Sequence, residues 1–135
     1  MSLLRSLSFF ALVLFSSTTM LTGASSADEI AGKWKGRWSS GSTGHSGPMR
    51  ARVTPTDNGT YKAVFAGRFA GVIPFIYRAE MVPVQTWDGI TYKTEKRLPL
   101  LGSYQMQTAV HGNLLNANWS AVGDTGQVQM FRLQN

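Results

Sequence analysis

The chain predicts an all-β protein: a single antiparallel up-and-down barrel of about eight strands, with no substantial helix after an amino-terminal leader. Three observations lead there. Segment after segment alternates apolar and polar residues with a period of two, turn-forming residues recur between those segments, and no stretch beyond the leader carries a helical period. Closure into a barrel is favoured because it leaves no unpaired sheet edge.

The leader comes first. Arg5 is the only charge before Asp28, and an apolar run from Leu7 to Phe15 is followed by a Ser/Thr-rich stretch ending Gly23-Ala24-Ser25-Ser26-Ala27. A basic start, a short apolar core and small residues before the break are the marks of a secretory signal peptide over residues 1–27. The apolar run falls short of the roughly 20 residues a membrane-spanning helix needs. Residues 28–135 are then expected to be one exported domain, periplasmic or extracellular. The chain has no cysteine, which excludes a lipid anchor on cysteine, disulfides, and thiolate-bound zinc or iron–sulfur clusters.

The strands follow in order. Gly32, Trp34, Gly36 and Trp38 share one phase and Lys33, Lys35 and Arg37 the other, giving an aromatic inner face and a basic outer face. Ser39 to Pro48, with His45 among glycines and serines, reads as the loop to a second strand, where Met49, Ala51 and Val53 alternate with Arg50 and Arg52. Thr56-Asp57-Asn58-Gly59 is a hairpin turn, because Asn-Gly accepts the positive φ a tight turn demands. Tyr61, Ala63, Phe65 and Phe69 then alternate with Lys62 and Arg68. Phe75, Tyr77, Ala79 and Met81 form the next inner set, and Ile90, Tyr92 and Thr94 follow the Trp87-Asp88-Gly89 turn. Tyr104, Met106 and Thr108 lead to a turn at His111-Gly112-Asn113, then Leu115, Ala117 and Trp119. Gly123 to Gly126 is expected to be the last turn, before Val128, Met130 and Arg132.

Gly32-Lys33-Trp34 on the first strand and an inward Arg132 on the last carry a resemblance. The chain resembles the small lipocalin- and avidin-like barrels of the calycin type, and exported bacterial proteins of unknown function with similar Trp-x-Gly-x-Trp openings. The resemblance implies that the Trp34 indole packs across the barrel floor with Arg132 stacked over it, a cation–π contact. A C-terminal helix of the lipocalin kind has no sequence here to form it, and the biotin-binding polar residues of avidins have no residue-by-residue match.

Two binding surfaces follow. The inner phase mixes bulky and small residues, so an eight-stranded barrel is either filled by its own side chains or holds one small apolar ligand. The cavity candidates are Trp34, Trp38, Tyr61, Tyr77, Tyr104, Trp119 and Arg132, with tyrosine hydroxyls able to orient a ligand. Outside, seven cations (Lys33, Lys35, Arg37, Arg50, Arg52, Lys62 and Arg68) lie between Ala31 and Phe69 against one acid, Asp57. From Ala70 onward five basic residues face four acids. If the first three strands are neighbours, this face suits an anionic polysaccharide or lipid head group, whereas an envelope compartment makes nucleic acid a poor partner.

Catalytic signals are weak. Gly44-His45-Ser46-Gly47-Pro48 departs from a nucleophile elbow at Pro48 and lacks the helix that motif requires. His45, His111 and Asp124 would make a rim-site enzyme or metal binder only if three turns met at one end. The expectation is a non-enzymatic binding protein with no catalytic residue, metal or cofactor. That rim site and an envelope assembly subunit, pairing through Phe131 and Leu133, are the alternatives.

Overall fold

The computed structural model describes residues 29–69, 72–98 and 102–134. The expected signal peptide lies outside the described residues. Eight strands follow one another: β1 (Gly32–Ser40), β2 (Ser46–Pro55), β3 (Tyr61–Phe69), β4 (Ile73–Thr86), β5 (Gly89–Leu98), β6 (Gly102–His111), β7 (Leu114–Ala121) and β8 (Asp124–Arg132). Each pairs antiparallel with the next, and β8 returns to β1, so the sheet closes into an up-and-down barrel. The described residues contain no helix. This architecture is consistent with a calycin-like fold.

Most of the inner phase read from the alternation is the core, but Ile90 at the start of β5 and Phe69 at the end of β3, both read as inner, are 51 % and 41 % exposed because they sit where the strands meet their turns. Trp34, Val53, Ala63, Phe65, Met81, Tyr92, Met106, Leu115, Val128 and Met130 are all buried. The outer phase is charged or polar on most strands, with exposed apolar residues such as Ile76 and Val82 on β4 and Phe131 on β8.

Two turns differ from expectation. β1 and β2 extend further than the serine- and glycine-rich composition suggests, and the loop shrinks to Gly41–His45. Backbone bonds from Ser40 N–H to the His45 carbonyl (2.8 Å) and Gly44 N–H to the Ser40 carbonyl (3.1 Å) close it. The last turn falls at Val122–Gly123, one step earlier than read, and Asp124 already belongs to β8. Gly126 is therefore a strand residue under the Trp119 ring, not a turn residue. The hairpin at Asn58-Gly59 is as expected, with Gly59 at φ 78°.

The two ends of the barrel differ. At the lower end, where the chain enters, Ile30 is fully buried and Trp34 lies above it, its indole N–H donating to the Ile30 carbonyl at 2.9 Å. The Arg132 guanidinium sits 4.3 Å from the Trp34 ring centroid and donates to the carbonyls of Ala31 and Glu29, both at 2.6 Å. These contacts plug the lower end. The upper end, which carries the β1–β2 and β7–β8 turns, is lined differently.

Candidate functional site: an aromatic cavity at the upper end

The cavity begins with cross-strand pairs. Trp38 stands opposite Gly47, Phe75 opposite Gly67 and Trp119 opposite Gly126. A Cβ at any of these glycines would overlap the partner ring, so each ring covers a bare stretch of backbone. Rings laid along the wall leave the middle of the barrel open. A cavity of about 260 Å³ results, lined by those three rings together with Met49, Phe65, Phe69, Tyr77, Tyr104, Met106 and Val128.

The rings brace one another. Trp38 stacks on Phe69 at 6.1 Å with a 15° interplanar angle and meets Phe75 edge-on at 6.2 Å. Its indole N–H is satisfied by the Arg68 carbonyl at 3.2 Å. Tyr77 and Tyr104 meet edge-on at 5.1 Å, and Tyr104 stacks on Trp119 at 6.5 Å. Such contacts add roughly 0.5–1.5 kcal/mol each beyond the area they bury, so the wall is shaped before any ligand arrives.

Polar groups in this lining are few. The Tyr104 hydroxyl donates to the Met106 sulfur, at 3.4 Å. The Tyr77 hydroxyl is buried with no hydrogen-bond partner among the described residues, as are the hydroxyls of Thr94 and Thr108 on β5 and β6. Burial pushes the Tyr77 phenol up to about 12. Tyr104 is raised further, first by burial and then by the neighbouring Tyr77. Both phenols are neutral donors at physiological pH. A buried hydroxyl without a partner is costly, and a ligand atom or water placed beside it would remove that cost.

The sequence-derived cavity candidates divide between the two ends. Trp38, Tyr77, Tyr104 and Trp119 line the cavity. Trp34 and Arg132 form the lower plug, and Tyr61 packs edge-on against Tyr92 at 5.4 Å, away from the cavity. Sequence reasoning overlooked the glycines that let the rings lie flat. It also overlooked Lys96, the next position of β5 in phase with Tyr92 and Thr94, whose ammonium lies 4.8 Å from the Tyr77 ring centroid. Continuing the alternation by one step would have found Lys96, whereas the glycine pairs needed the register.

The seven cations do share one outer face, because β1, β2 and β3 are adjacent. Lys33 stands opposite Arg52 and Lys35 opposite Arg50, two like-charged cross-strand pairs. Arg37 stands opposite Pro48, Arg68 opposite Pro74 of β4, and Lys62 faces Glu80 of β4. Arg78, opposite Val64, extends the face onto a fourth strand.

The histidines do not meet. His45 lies at the upper end, its ring 5.1 Å from Phe69, while His111 ends β6 at the lower end. Asp124 is engaged locally: the Ser40 hydroxyl lies within 2.8 and 2.7 Å of its two carboxylate oxygens, and the Ser42 N–H reaches it at 3.3 Å. The Ser40 contact, ahead of the Ser42 bonds, holds this carboxyl below its usual range. It serves as a clasp between β1 and β8. Among the described residues no three His, Asp or Glu side chains gather as a metal site. No family model and no curated protein matches the chain.

Proposed function

We propose that this chain is an exported, non-enzymatic binding protein of the small calycin type that holds one small apolar ligand in the upper half of its barrel. The observation that carries the reading is the aromatic cavity with the Tyr77 hydroxyl buried beside it, unpartnered among the described residues. Apolar walls with a few convergent polar groups are the usual make-up of a small-molecule site. The glycine pairing supports it further, since a core selected only for packing would fill this space.

The test is chemical. An organic extract of the full chain, purified from its native host, should yield one compound at near-stoichiometric amount by mass spectrometry. Val128→Phe, which puts a ring into the cavity, should abolish that yield while the barrel still folds. An empty extract, together with unchanged Trp38 and Trp119 emission on adding the neutral probe 1-naphthol, would remove the reading.

A second reading has its own observation. Like charges directly opposite in a sheet destabilise it, yet Lys33–Arg52 and Lys35–Arg50 are both kept. An anionic polysaccharide or lipid head group on this face is the partner such a pairing suits.

A further inference from the structure

We propose that the cavity ligand carries a single negative charge, a compact aromatic or acyl carboxylate whose head group meets the Lys96 ammonium at a seam between β4 and β5. This rests on the cavity reading above and adds the charge of the ligand and the place where that charge is held.

The seam comes from the register. β4 pairs with β3 from Ile73 to Met81, but toward β5 its ladder covers only Val82 to Thr86. The second half of β5, from Thr94 onward, pairs with β6 alone. The wall beside Tyr77 and Ala79 is thus parted on its β5 side. Backbone groups along a parted ladder need other partners, and the Arg78 carbonyl finds one in Lys96 Nζ at 2.8 Å.

Lys96 is an unusual residue for its position. It pairs with Tyr104 and follows Tyr92 and Thr94 in phase, yet it is exposed, as are Glu95 and Arg97 of the other phase. Its ammonium rests against the face of Tyr77, and both tyrosines line the cavity. An ammonium has three donors, and the Arg78 carbonyl takes one of them. Lys96 is exposed, so its remaining donors stay open to a carboxylate where the seam meets solvent beside Tyr77 and Tyr104.

Buried hydroxyls point to the same seam. Thr94 is 1 % exposed, stands two residues before Lys96 in the same phase of β5, and has no partner for its hydroxyl among the described residues. Tyr77, across the seam on β4, has a buried hydroxyl in the same condition. The Lys96 ammonium beside Tyr77 is the head-group site proposed for an oxyanion, and the rings of the cavity accept the apolar body.

The experiment uses two isosteric probes, 2-naphthoate and the neutral 2-naphthamide, titrated calorimetrically into the full chain at neutral pH. Naphthoate should bind about tenfold tighter, the worth of one charge-assisted hydrogen bond. Lys96→Met should erase that preference, and an unchanged circular dichroism spectrum shows that the variant is folded. Lys96→Arg should keep most of it. Equal binding of the two probes by the wild type, or a preference that survives Lys96→Met, overturns the proposal and leaves the cavity reading standing. Binding of neither probe overturns both. Should Lys96→Met fail to fold, the wild-type ratio alone decides.

Discussion

Tyr77 and Tyr104 show how a single residue type does different work according to its neighbours. Tyr61 and Tyr92 pack together near the lower end, while Tyr77 and Tyr104 put their hydroxyls into an apolar lining that offers Tyr104 a thioether and Tyr77 no partner among the described residues. Desolvation disfavours the phenolate, so their folded-state pKa values rise above the ordinary value near 10. The sign for stability follows. Below pH 10 both states carry neutral phenols and the stabilisation is complete; as pH rises from 10 toward 12 the unfolded chain loses protons first and the folded state loses ground. Denaturant midpoints should therefore fall steeply above pH 10, and the double variant Tyr77→Phe/Tyr104→Phe should flatten that fall. The tyrosinate absorbance of the wild type should rise in two stages, the later one coinciding with unfolding. Equal slopes for wild type and variant would contradict the assignment.

At the scale of elements, the register decides what the residues can do. An aromatic set opposite glycine lies down against the sheet, and one set opposite a larger residue must stand into the lumen. Trp119 over Gly126 is the clearest case, because a Cβ on Gly126 would overlap both the Trp119 ring and the Ser39 carbonyl of the neighbouring strand. Gly126→Ala should cost about 1–3 kcal/mol, as overpacking in a well-packed interior does, read from urea unfolding. The same change at Gly59, a hairpin position with open space around it but φ 78°, strains only the turn. The seam is a second consequence of register. β4 is the longest strand, with 14 residues, yet it shares only five pairs with β5, since its first part follows β3 while β5 follows β6. One side chain, Lys96, bridges the parting.

Across the whole molecule the charge is divided. The outer face of β1 to β3 is basic, while the outer face of β6 to β8 carries uncharged amides such as Gln107, Asn118 and Gln127, which stand side by side. Opposed cations on β1 and β2 lower stability, so Arg50→Glu, which places an acid opposite Lys35, should raise unfolding free energy by about 0.2–1 kcal/mol. If the face serves an anionic partner, the same variant should bind dextran sulfate more weakly, and wild-type binding should fall with salt. Unchanged dextran sulfate binding would remove this face from consideration.

The division between sequence and tertiary structure has a physical basis. Alternation alone determined the strands and most of the buried set, because a period of two assigns each side chain to a face whatever the neighbouring strand is, but not where a face ends, as exposed Ile90 and Phe69 show. Asn58-Gly59 marked its turn for a local reason too, the positive φ that few other residues accept. Longer turns were less legible: serines and glycines from Ser39 to Gly47 look like loop residues, but Ser39, Ser40, Ser46 and Gly47 are held in strands by partners far along the chain. The site was half legible for the same reason. Its aromatic members declared themselves by phase, but phase does not tell Trp34 in the plug from Trp38 in the cavity. Only tertiary structure set Gly47, Gly67 and Gly126 beneath their rings and brought Lys96 against Tyr77, because which residue faces which across two strands depends on register, and register is fixed by closure of the whole barrel.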